Sequence, residues 1–125
     1  MNGKRVLVVE DNESYRETLV TFLRLEGHTA VAVHDCDMAL AILENGEKFD
    51  HIVSDFKMPP GINELEFLQR VRADKRMESV PFILMSSEFD TSELERVCHE
   101  LDAVFIRKSF DLHESIAKVL GSWQG

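Results

Sequence analysis

The chain has little of what builds disulfide frameworks, thiolate metal centres or membrane spans. Its two cysteines, Cys36 and Cys98, are far apart and form no Cys-x-x-Cys pair. A disulfide scaffold and a thiolate zinc site are therefore excluded, and both residues read as reduced core positions of a cytoplasmic protein. No apolar run nears the roughly 18 residues of a membrane span. Met1 to Arg5 is basic, but only Val6 to Val9 separate it from Glu10, so no secretory signal is expected. Positive charge is scarce too: 14 Lys and Arg stand against 23 Asp and Glu, a net charge of −9. That argues against direct binding to nucleic acid or to an anionic membrane, either of which needs a basic face. The patterns G-x-x-x-x-G-K-[ST], G-x-G-x-x-G and G-x-S-x-G are absent. This removes a P-loop, a dinucleotide fingerprint and a serine-hydrolase elbow. His28, His34, His51, His99 and His113 lack ligand spacing and read as surface or strand-end residues.

What remains is a regular alternation. At 125 residues, with 44% hydrophobic and 30% charged positions, the chain suits one domain with a proper core. Apolar strand-type runs occur at Lys4–Val9, Thr29–Val33, His51–Ser54, Pro81–Met85 and Ala103–Ile106. Between them lie helical stripes: Tyr15, Leu19, Phe22 and Leu23; Cys36, Ala39, Leu40 and Leu43; Leu65, Leu68 and Val71; Leu94, Val97, Cys98 and Leu101. A last stripe runs through Leu112, Ile116, Val119 and Leu120 to Trp123. Asn12 and Asp35 are placed as helix N-caps, and Gly27 and Gly46 as helix stops. Arg70, Arg72, Lys75 and Arg76 read as a solvated helix end. Most of the runs are continuously apolar, as strands buried on both faces are, while the second alternates like an edge. Five βα units predict an α/β fold, a five-stranded parallel sheet doubly wound by helices on both faces.

In such a sheet all strand C-termini share one edge, where α/β folds place their chemistry. Glu10, Asp11, Asp55, Ser86 and Lys108 are the polar residues at those ends. Three carboxylates in one cleft repel one another unless a cation sits among them. Oxygen ligands without histidine or cysteine select Mg²⁺, with Mn²⁺ possible. A cation, an ammonium and a hydroxyl around a carboxylate suit phosphoryl transfer to aspartate.

The whole chain resembles a bacterial two-component response-regulator receiver domain, of the stand-alone chemotaxis type in length. The resemblance is carried by Val8-Val9-Glu10-Asp11-Asn12, by Asp55 ahead of Lys57-Met58-Pro59, by Ser86, and by Phe105-Ile106-Arg107-Lys108 before Phe110. It implies that residues 1–125 form one receiver domain with the flavodoxin-like strand order 2-1-3-4-5. It implies Asp55 as phosphoacceptor. Mg²⁺ would be held by Asp11, Asp55 and the Lys57 backbone carbonyl, with Glu10 assisting. Ser86 and Lys108 would contact the phosphoryl group, and Ser86 and Phe105 would serve as switch residues. The implied partners are a histidine kinase or histidine phosphotransfer protein and an unidentified output protein or fused output domain. The domain would be a phosphoacceptor with at most self-phosphorylation and self-dephosphorylation activity. The alternatives are a degenerate receiver that binds a partner without phosphorylation, and a small Mg²⁺-dependent phosphohydrolase. Three departures from the family pattern stand out: an extra residue in Met58-Pro59-Pro60-Gly61-Ile62-Asn63-Glu64 with Glu64 in place of a glycine, Ser109 after Lys108 instead of proline, and no glycine in Glu100-Leu101-Asp102. Lys57 and Glu88 would flank the phosphoryl group and shield it from water.

Overall fold

Continuous apolar strands have no face for solvent, so the chain must cover its sheet on both sides. The computed structural model describes residues 3–55, 63–87, 91–108 and 112–122. Strands β1 (Arg5–Val9), β2 (Thr29–Val33), β3 (His51–Asp55), β4 (Phe82–Ser86) and β5 (Val104–Arg107) alternate with helices. These are α1 (Glu13–Leu25), α2 (Cys36–Glu44), α3 (Glu64–Ala73), α4 (Ser92–Glu100) and α5 (Leu112–Ser122). The sheet is wholly parallel with order β2-β1-β3-β4-β5. This is the expected five-stranded doubly wound fold, with the switch point between β1 and β3.

Two cores flank the sheet. Leu7, Ile52, Phe82 and Leu84 face α2, α3 and α4, with Phe67 and Phe82 tilted together at 5.6 Å. Val6, Val8, Val53, Ile83 and Met85 face α1 and α5. The expected α2 face, Cys36, Ala39, Leu40 and Leu43, is fully buried. Both cysteines are buried and unpaired as disulfides. Asn12 and Asp35 cap α1 and α2 by accepting from Tyr15 N and Met38 N. Gly27 and Gly46 adopt positive φ just past those helices, where a Cβ would be strained.

Several local expectations shift. Tyr15 is half exposed instead of buried on α1. Ala30 and Val33 are the buried residues of β2, so that edge strand does not alternate cleanly. Arg72 is no solvated helix-end charge. Its guanidinium donates to the carbonyls of Leu101, Glu78, Val80 and Asp102, tying α3 to the turns before β4 and β5. Neighbouring Arg70 and Arg76 do pair on the surface, with Glu66 and Asp74.

The missing glycine after α4 is replaced by Asp102 at φ 54. Ala103 N donates to Cys98 O at 2.8 Å there, closing the helix end. Aspartate tolerates this left-handed conformation better than most residues but not as well as glycine. Asp102→Gly is therefore expected to raise stability by about 0.5 kcal/mol. A urea midpoint shifted upward at constant slope would show it, and a lowered midpoint would mean that the Asp102 carboxylate matters more than its backbone.

Of the two places expected for His51, surface or strand end, it takes the second: it begins β3 and is buried. Burial, aided by the Lys4 charge, lowers its pKa from 6.5 to about 4. The unfolded chain therefore binds this proton first, and stability falls as pH drops from 6.5 towards about 4. The full loss is up to about 3 kcal/mol. Denaturant unfolding across that window should show the slope, and His51→Gln should flatten it.

Candidate functional site

The edge formed by the strand C-termini gathers side chains that lie far apart in sequence. β1 ends one residue before Glu10, whose backbone N–H donates to Val33 O of β2. Asp55 is the last residue of β3, and Ser86 the last of β4. Lys108 follows β5, and its N–H donates to Ser86 O at 2.8 Å. Parallel register thus brings four consecutive strand ends to one cleft.

Lys108 lies between two carboxylates. Its Nζ is 2.9 Å from Glu10 Oε1 and 2.8 Å from Asp55 Oδ1, and all three side chains are at least nine-tenths buried. The second Glu10 oxygen accepts from Asn12 N at 3.1 Å. Arg16 Nη1 donates to Glu10 O at 2.9 Å, which fixes the turn into α1. The Lys108 ammonium also sits 4.1 Å from the centre of the Tyr15 ring. This cation–π contact explains why Tyr15 lies on the surface: it covers the lysine instead of packing into the core.

The electrostatics are unbalanced. Burial raises the Asp55 pKa from 3.8 to about 7, and the nearby Glu10 charge adds to the rise. Hydrogen bonding and charge from Lys108 oppose it without cancelling it. Burial alone would lower the Lys108 pKa, but its hydrogen bonds to Asp55 and Glu10 outweigh burial and raise it. Asp55 Oδ2 is buried and accepts no hydrogen bond among the described residues. An orphan carboxylate oxygen in a site with excess negative charge is a natural place for a cation. Ligand atoms of Glu10, Asp11 and Asp55 lie within 4.8 Å of one another. Asp11 is exposed, so this triplet opens to solvent on one side. The acids fit a hard divalent ion that keeps part of its water shell.

Of the switch candidates, Ser86 is fully buried and Phe105 is partly buried against the α2–α3–α4 core. Beside them, Thr91 Oγ1 donates to Glu95 Oε2 at 2.6 Å and accepts from Arg107 Nη2 at 3.0 Å, joining the start of α4 to the end of β5. Lys57 with its carbonyl, the 58–62 stretch, Glu88, Ser109, Phe110 and Trp123 lie outside the described residues. Two residues at the site were not singled out for chemistry in the sequence. Tyr15 reads there only as part of a helical stripe. Glu64 reads only as a departure from a pattern, yet it is buried and lines the acidic cleft.

Comparison with known proteins gives the family and the fold. A family model described as "Response regulator receiver domain" matches residues 6–120. The chemotaxis protein CheY of Pseudomonas aeruginosa is 29% identical over 119 residues, covering 92% of this chain and 94% of that protein. The chemotaxis response regulator CheY4 of Vibrio cholerae superposes with a TM-score of 0.82 at 26% identity, covering 96% of this chain and 98% of the other. The response regulator TrrA of Thermotoga maritima, solved in complex with Mg²⁺-BeF, gives 0.77 at 29% identity, covering 93% and 96%.

Proposed function

The chain belongs to the response-regulator receiver family, and from that premise we propose that it takes a phosphoryl group from a phosphohistidine onto Asp55. It is a two-component receiver domain, a signalling domain and not an enzyme in the ordinary sense. The observation that carries the proposal is the buried Asp55 carboxylate, with one oxygen on Lys108 and the other accepting no hydrogen bond among the described residues. Residues 1–125 act as one receiver unit in this reading.

The residues divide the work. An Asp55 oxygen attacks phosphorus as the P–N bond of the donor histidine breaks, and the imidazole leaves and is reprotonated. Glu10, Asp11, Asp55 and the Lys57 carbonyl would hold Mg²⁺, with Mn²⁺ as substitute. When bound, the cation supplies neutralisation of the phosphoryl oxygens. Lys108 already sits 2.8 Å from Asp55 and can turn its ammonium from Glu10 to the arriving phosphoryl. The Ser86 hydroxyl, at the end of the adjacent strand, donates to another phosphoryl oxygen. Both contacts draw β4 and β5 ends inward. Phe105 and the Thr91–Arg107 link would pass that movement to the α4–β5–α5 surface. The partners are a histidine kinase or phosphotransfer protein upstream and an output protein or fused output domain downstream. Slow self-phosphorylation from small donors and self-dephosphorylation belong to the same site. Among the described residues no helix is long and apolar enough to cross a membrane.

The test is the intact mass of the protein after incubation with Mg²⁺ and acetyl phosphate, with EDTA and Asp55→Asn controls. One Mg²⁺-dependent phosphoryl adduct, absent from both controls, is expected. No adduct on the native chain would instead favour an interaction module that works without phosphorylation.

A further inference from the structure

Glu64 is the first residue of α3 and is 4% exposed. A carboxylate at that position often serves the helix start, but here the cap is already supplied. Asn63 is the N-cap, and its side chain accepts from Glu66 N at 2.9 Å. The Glu64 carboxylate reaches α2, where the buried Cys36 thiol donates to its Oε2 at 3.2 Å. Burial and the Glu64 charge both push the Cys36 pKa upward, so the thiol keeps its proton and remains a donor. A thiol is a weak donor, so this contact stabilises the carboxylate only modestly. The positive ends of α2 and α3 converge on the same place and favour a negative charge there.

Glu64 also lines the acidic cleft. A cavity of about 10 Å³ there is lined by Glu64, Glu10, Asp11, Asp55, Asp35 and His34. That is room for about one water. Asp35 is occupied as the cap of α2 and by His34 at 3.3 Å. Five carboxylates thus line a water-sized space, Asp35 among them already engaged as a cap, and Lys108 reaches Glu10 and Asp55. Beyond the gathering of acids, Asp55 lines this cavity and carries a buried Oδ2 that accepts no hydrogen bond among the described residues. The three acids with ligand atoms within 4.8 Å of one another do not include Glu64. Any reach of Glu64 to an ion among them would have to run through a water.

We propose that Glu64 is a fourth carboxylate of the cation site, holding a water of the bound divalent ion and thereby setting the ion's affinity. The inference rests on the cation site described under the proposed function. Carboxylates that orient metal-bound groups without touching the metal are commonly worth tenfold or more in affinity. A buried charge in this position also attracts the ion through a medium that salt screens poorly. Glu64 is a positioning residue in this scheme, since it acts through water and not on the phosphoryl group itself.

The experiment is titration calorimetry of Mg²⁺ and Mn²⁺ into the metal-free protein. It compares the native chain with Glu64→Gln, Glu64→Asp and Asp11→Asn, each checked by urea unfolding in EDTA. Glu64→Gln is expected to weaken Mg²⁺ binding about tenfold without lowering stability in EDTA. Glu64→Asp, which keeps the charge but draws it back, should fall between Gln and native. Native affinity in a folded Glu64→Gln overturns the inference, and if Asp11→Asn still loses the ion the site itself stands. Absence of Mg²⁺ binding by the native chain overturns the site and this inference together. Should Glu64→Gln fail to fold, Glu64→Asp decides: a native dissociation constant there overturns the proposal, and a several-fold weaker one supports it.

Discussion

Asp55→Asn is expected to abolish the phosphoryl adduct completely and, in the same protein, to stabilise the metal-free chain by about 2–3 kcal/mol above neutral pH. Loss of the adduct follows because an amide cannot form the acyl phosphate. The gain follows from the charge balance. Asp55 has its pKa raised from 3.8 to about 7 in the folded chain, first by burial and then by Glu10. The folded state therefore binds a proton that the unfolded state has released. Folding is penalised progressively as pH rises from 3.8 to about 7, and the penalty is constant above that. The full shift corresponds to about 4 kcal/mol, less what the neutral amide forfeits with Lys108. Urea unfolding in EDTA, run from acid to alkaline pH, reads the effect. The difference between Asp55→Asn and native should grow through that window and then level off. A constant or negative difference would show that the Lys108 contact outweighs burial. Millimolar Mg²⁺ should narrow the gap, because the ion stabilises the native carboxylate by mass action.

Lys108→Met is expected to do the reverse. The change keeps an apolar stem beneath Tyr15 while removing the ammonium. Glu10 and Asp55 would then be buried side by side without a cation, 1% and 4% exposed. Removing one member of a buried charge cluster commonly costs about 3–5 kcal/mol. Protonation of Asp55 limits the loss at low pH, so the deficit should widen as pH rises. Mg²⁺ should recover part of it, since the ion can take the place of the missing charge. The variant should also lose the signalling change even where an adduct forms, because the link from phosphoryl to the end of β5 is gone. A stability equal to native in EDTA at alkaline pH would mean that water compensates the two acids and that Lys108 is not an internal counter-charge. In the double variant Asp55→Asn/Lys108→Met the two effects should not add, since each alters the same three-residue cluster.

Much of this was legible from pattern. The continuous apolar runs placed all five strands to within one residue at each end, periods of roughly 3.6 marked all five helices, and the alternation dictated a parallel sheet. Capping chemistry was equally local: Asn12, Asp35, Gly27 and Gly46 act where their side chains or lack of one require. The chemistry-bearing edge followed from topology, because a right-handed parallel sheet sends every strand's C-terminus the same way. Glu10, Asp55, Ser86 and Lys108 needed no further information to be grouped.

The misreadings share a cause. Arg72 looks like a solvated charge beside Arg70, Lys75 and Arg76. Its four carbonyl partners come from residues 78, 80, 101 and 102, and the last two lie 29 and 30 positions away, beyond any local window. His51 is the strand-end residue its place in the run suggests, and only packing against the rest of the sheet decides that it is buried. Tyr15 satisfies helical periodicity but covers Lys108, a residue 93 positions later that reaches it only after β5 is laid down. Glu64 registers in sequence as an oddity. Its burial against Cys36 comes from the approach of α2 to α3, which is set by side-chain volumes and not by period.

The amino-acid order by itself thus determined the fold class, the sheet's chemical edge and the identity of the acids and lysine along it, because these depend on local periodicity and on the handedness of the chain. Tertiary structure alone decided how Lys108 divides itself between Glu10 and Asp55, which Asp55 oxygen is left over, and that Glu64 joins them. Those depend on distances of a few ångströms between elements and on how much water the packing excludes, and no rule of spacing encodes either.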